Sequence, residues 1–90
     1  MLNENYTVMA INDAMKFIKE SQKSKELRKE VNKLQPEEIF PKLTELGYDF
    51  NAFEFDEAVN LLHVQCQFQE DAEHLLQTSM WFKMQTGDPL

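Results

Sequence analysis

The chain is short of the residues that staple or punctuate a fold. A single cysteine, Cys66, excludes an internal disulfide. With 90 residues and no staple, the core has to come from apolar packing or from association. Glycine occurs twice and proline three times, which excludes a Gly-rich phosphate loop and a flexible linker. Long apolar runs are missing too. The longest, Val8 to Ile11, falls far short of the roughly 20 residues that cross a bilayer. Met1 to Thr7 lack the apolar core of a secretion signal. A lone thiol without such a signal suits a reducing compartment, so the expected location is cytoplasmic. Positive charge is scarce: nine Lys and Arg stand against 16 Asp and Glu, a net charge of −7. Phosphate-rich partners would be repelled, which argues against nucleic acid.

The charge is unevenly spread. Residues 1–33 hold seven Lys/Arg and five Asp/Glu, whereas residues 34–90 hold two and eleven. Lys23, Lys25, Arg28, Lys29 and Lys33 gather around one helical segment. The plain reading is a solvated face. The sharper one is a patch for an acidic partner, or for the acidic half of a neighbouring copy.

Helical periodicity runs through the whole chain. Val8, Ile11, Met15 and Ile18 keep the three-four spacing of an amphipathic helix, with Thr7 and Asn12 as alternative N-caps. Ser21 to Ser24 end it, and Ser24 is placed to cap a second helix carrying Leu27, Val31 and Leu34. Pro36 suits a first helical position, with Glu37 and Glu38 favoured by the helix dipole. Ile39, Leu43 and Leu46 form the inward stripe of this third helix, with Phe40 beside it. Pro41 predicts a kink or a loosened first turn, and Gly47 a left-handed stop. Tyr48-Asp49-Phe50 reads as an extended link with core-filling aromatics. Asn51 and Glu54 then make a capping box.

From Asn51 to Thr86 there is no glycine or proline, which predicts one long helix to about Gln85. Asp71 is able to cap a separate last helix if the chain breaks near Gln69–Asp71. Two apolar stripes emerge at roughly 100° per residue. One holds Phe55, Val59, Leu62, Cys66, Met80 and Met84. The other holds Leu61, Val64, Phe68, Leu75 and Phe82. Three short helices cannot cover so much apolar circumference, so the end of the helix is expected to meet another chain. The predicted partner-binding residues are Leu75, Leu76, Met80, Trp81, Phe82 and Met84. The competing reading is that the chain folds back and buries this end itself.

Chemistry-bearing residues are sparse. His63, Cys66, Glu70 and His74 fall within one helical arc of roughly 80° and are all zinc-competent types. The outer members cannot reach one ion, and no second ligand cluster accompanies them. No metal and no cofactor is therefore expected. A thiol–imidazole pair of Cys66 and His63 lacks any visible oxyanion donor or substrate cleft. No catalytic residue is assigned, and the chain is not expected to be an enzyme.

The stretch Phe17 to Ala58 resembles the Nif-eleven family. Phe17 matches the Phe of its first helix, and Leu27, Arg28 and Val31 match its L-R-x-x-L/V helix. Pro36, Glu37 and Glu38 match its Pro-Glu-Glu helix start, and Gly47, Tyr48, Asp49 and Phe50 its Gly-Tyr/Phe-Asp-Phe turn. The family comprises small helical proteins of nitrogen-fixation gene clusters, and its domain also serves as a leader region of modified-peptide precursors. Leader-type members carry a double-Gly motif and a core peptide rich in Cys, Ser or Thr. Gly47 and Gly87 are not adjacent and Cys66 is alone, so the stand-alone type is favoured. The resemblance implies no activity and carries no catalytic residue.

The expected fold is all-α: three short helices packed on a long C-terminal helix. Residues 1–90 are read as a single domain, with a family-like region at about 11–58 and an extended helical segment at 52–85. The expected function is a non-enzymatic, protein-binding accessory factor of the nitrogen-fixation-associated type. Its partners are an unidentified protein and a second copy in a homodimer, without nucleic acid or membrane. The alternatives are a leader or recognition domain that docks a peptide-modifying enzyme, and a small metal- or cofactor-handling protein using His63, Cys66, Glu70 and His74.

Overall fold

The computed structural model describes residues 4–87. Along them run five helices: α1 (Glu4–Lys23), α2 (Lys25–Asn32), α3 (Pro36–Glu45), α4 (Ala52–Gln65) and α5 (Gln69–Thr86). No strand occurs among the described residues, and the protein is all-α. Helix α1 begins at Glu4, ahead of Thr7 and Asn12, so neither residue caps it. Ala10, Ala14, Phe17, Ile18 and Ser21 turn inward at helical spacing. The Ser21 hydroxyl, with no water to bond, donates to the Ile18 carbonyl at 2.9 Å. Ser24 caps α2 as its side chain accepts from the Leu27 N–H at 3.1 Å. On α2 Val31 is buried and Leu27 half-buried, while Leu34, expected on the same helix, is half-buried beyond its end at Asn32.

Helix α3 opens on Pro36 and runs unbroken through Pro41. Pro41 deprives the Glu37 carbonyl of its donor, and both residues are exposed, on the side of the helix where solvent can reach the free carbonyl. Ile39 and Leu43 are buried, but Leu46, expected inside, is exposed at the C-cap. There the chain reverses. Gly47 has φ +98°. Its N–H donates to Thr44 at 3.1 Å, while the Tyr48 N–H donates to Leu43 at 2.8 Å. These are the two bonds of a Schellman stop. Tyr48 and Phe50 then drop into the core on either side of exposed Asp49. The capping box of α4 is complete: the Glu54 N–H donates to Asn51 Oδ1 at 2.8 Å and the Asn51 N–H to Glu54 Oε1 at 2.9 Å.

The long helix expected from Asn51 to Gln85 is two helices. Cys66, with ψ 125°, and Phe68, with ψ 145°, are extended and turn the chain between α4 and α5. Phe68, not Asp71, occupies the N-cap position of α5. The buried faces explain the break. Phe55, Val59 and Leu62 are buried on α4, and Leu75 and Phe82 on α5. On one straight helix these two sets would point roughly 180° apart. A single rod could not bury both against one core, whereas a reversal turns the second face inward.

Helix α1 packs on α4, α5 and α2, α4 on α5, and α3 on α5. The Asp49 N–H, just ahead of α4, donates to Asp13 in the middle of α1 at 3.1 Å, and Lys19, Gln22, Leu62 and Cys66 meet around one cavity at the C-terminal ends of the two helices. The two helices therefore run in the same direction, and α5 returns between α1 and α3. At the centre Phe82 touches four phenylalanine rings, with centroids 4.5 Å from Phe55, 5.1 Å from Phe17, 5.8 Å from Phe40 and 6.1 Å from Phe50. The edge and tilted geometries among them are those aromatic quadrupoles favour. No buried side-chain polar atom lacks a hydrogen-bond partner among the described residues.

Candidate interaction surface

Turning α5 back on the core divides the six predicted partner-binding residues. Leu75 and Phe82 lie inside the chain's own core, 3% and 1% exposed. Trp81 is half-buried, and its indole N–H donates to Asn32 Oδ1 at 2.8 Å, tying α5 to the end of α2. Leu76, Met80 and Met84 remain outside, with exposures of 47%, 52% and 63%. They stand four residues apart, so they form one row along α5.

A second outward row belongs to α4 and its exit. Phe53, Leu61, Val64 and Phe68 are all exposed, Val64 to 83%. The stripe that holds Leu61, Val64 and Phe68 is legible in the sequence, but its assignment to solvent is not. Each sequence stripe changes role at the break. The first is buried on α4 and exposed on α5, and the second does the reverse. The two exposed halves lie on neighbouring helices. Asp56 and Lys83 join α4 to α5 with an ion pair of 2.8 Å. Phe53 is one turn from Asp56, and Met80 one turn from Lys83, so the pair marks the seam between the rows.

The residues considered for metal chemistry separate. Cys66 and His74 line a cavity of about 180 Å³ together with Lys19, Gln22, Leu62, Asp71 and Leu75. Neither His63 nor Glu70 lines it; both are exposed. Among the described residues no three His, Cys, Asp or Glu side chains come together as a metal site. The Cys66 thiol is half-buried and donates to the Leu62 carbonyl at 3.3 Å rather than to an imidazole. The cavity shares Leu62, Cys66 and Asp71 with a recess that reaches Phe68, and Gln22 and His74 with one that reaches Arg28 and Trp81. A shallow groove thus follows the N-terminal half of α5. Arg28 is committed within it, donating to the carbonyls of Ser21 and Gln22.

The basic cluster lies on the surface. Lys23, Lys25, Lys29 and Lys33 are exposed, and Lys33 meets Glu30 at 3.6 Å. Among the described residues no helix is long and apolar enough to cross a membrane. No protein-family model, curated protein or solved structure matches the chain, and the surface is read from its own geometry.

Proposed function

We propose that the chain is a non-enzymatic protein-binding accessory factor that acts through the outward face of the α4–α5 hairpin. The observation that carries this reading is the exposed row Leu76–Met80–Met84 beside the exposed row of α4. Large apolar side chains in contiguous rows are what interaction sites present, and methionine adapts its shape to a partner. The resemblance of Phe17 to Ala58 to the Nif-eleven family supports an accessory role associated with nitrogen fixation, in the cytoplasm. A photo-crosslinking residue placed at Met80 tests the reading in cells. The expected result is a discrete protein adduct from position 80 and none from position 29 on α2. Equal adducts from both positions, or none from position 80, would count against it.

A further inference from the structure

We propose that the α4–α5 face docks a basic amphipathic helix supplied by a partner protein. This rests on the protein-binding reading above and adds the chemistry of the partner. The face has the shape for a helix. The row Leu76–Met80–Met84 extends over about 12 Å, and Phe53 to Val64 over about 16 Å, at 1.5 Å per residue. Two exposed rows of that length on neighbouring helices offer enough apolar surface for a helix of about three turns, as in helix-docking recognition.

Its charge calls for a basic occupant. Between residues 51 and 87 there are six acidic residues and one basic residue, Lys83. Lys83 is already paired with Asp56. Glu57 shares the α4 row with Phe53, Leu61 and Val64, and Glu73 shares the α5 row with Leu76 and Met80, at three-, four- and seven-residue intervals. Glu70 adds to the same end and is exposed. An apolar surface with acids set among its rows selects an occupant with apolar residues on one face and Lys or Arg beside them. The same charges weigh against a second copy as the occupant. A twofold contact would lay the acidic patch that holds Glu57 and Glu73 against a second copy of itself, because an isologous interface pairs one patch with itself.

The test uses the full chain and a designed peptide of leucine and lysine, about 18 residues long, with leucine on one helical face. Titration calorimetry at about 0.1 M salt is expected to show binding. A peptide of the same composition with its leucines dispersed should bind at least about tenfold more weakly. Met80→Gln with Met84→Gln should weaken binding by a similar factor. Both side chains are exposed, and unchanged helix content and Trp81 emission confirm that fold is retained. Glu57→Gln with Glu73→Gln should weaken binding and flatten its salt dependence. Equal binding of the dispersed peptide, or indifference to the methionine pair, overturns the proposal, because bare charge attraction then suffices. A leucine–glutamate peptide that binds as well, or a homodimer already formed at low salt that the methionine changes dissolve, also overturns the basic occupant while leaving the docking face in place. Absence of both peptide binding and self-association removes the docking face as well.

Discussion

Met80 and Phe82 are two positions apart on α5, yet one is 52% exposed and the other 1%. Their contrast tests the reversal of α5 with single side chains. Phe82 fills the space between Phe17, Phe40, Phe50 and Phe55. Phe82→Ala is expected to cost about 3–5 kcal/mol, the lost transfer free energy plus the cavity. Small domains hold only about 5–15 kcal/mol in total, so this change should take much of the stability. Met80→Ala leaves no cavity and should stay within about 0.5 kcal/mol. Urea melts of the two variants decide the matter, since an α5 that projected into solvent would make both changes mild. Gly47 is a second case decided by one residue. A Cβ there meets no atom within 4 Å, so crowding contributes nothing. Its φ of +98° remains unfavourable to any L side chain. Gly47→Ala is expected to cost about 1 kcal/mol through the backbone alone. A melt unchanged from the parent protein would show that the turn relaxes.

Whole helices were legible wherever their ends carry chemistry. Ser24, Pro36, Gly47 and the Asn51–Glu54 box each stand where the sequence expects a boundary, because each satisfies backbone groups that a helix end leaves free. The α4–α5 turn carries no such signal. Phe68 provides no side-chain cap, and Cys66-Gln67-Phe68 contains neither glycine nor proline. The break is imposed by tertiary packing, because burying Leu75 and Phe82 is worth more than three residues of helix. Its trace in the sequence is the change of apolar face near residue 66, which periodicity alone reads as a helix apolar all round. Leu46 differs from its sequence expectation for a related reason: helical spacing continues through it, but the chain has begun to turn. The reversal changes what truncation does. A free-standing last segment could be deleted after Asp71 with little effect on the first three helices. Here α5 is the element on which α3 packs, and it also packs on α1 and α4 and places Phe82 at the centre of the core. Residues 1–71 are therefore expected to lose the cooperative thermal transition and most helical signal in circular dichroism. Retention of a sharp transition would mean that α1 to α4 form a core of their own.

At the scale of the whole molecule the question is what one copy does with another. The radius of gyration is 12.8 Å, close to the value of about 12 Å for a compact chain of this length. The expectation of a homodimer drew on six apolar residues at the end of a long helix. Two of them are now inside the core and Trp81 is half covered, so the surface left for self-association is the row of Leu76, Met80 and Met84. Two geometries remain, and salt separates them. Twofold contact through the α4–α5 face sets like charges together, so it should be suppressed at low ionic strength and strengthened as salt screens them. Contact of the basic half of one chain with the acidic half of another is attractive, so it should weaken with salt. The acids within the apolar rows lead to a definite expectation. The protein should be a monomer at micromolar concentration in low salt, with a scattering radius near 12.8 Å. Any self-association should grow as salt is raised, and should be lost in the Met80→Gln, Met84→Gln variant. Sedimentation equilibrium across a salt series gives the sign directly. A dimer at low salt that dissociates on adding salt would show that the lysines of α1 and α2 seat on the acidic face. The chain would then be supplying its own basic helix.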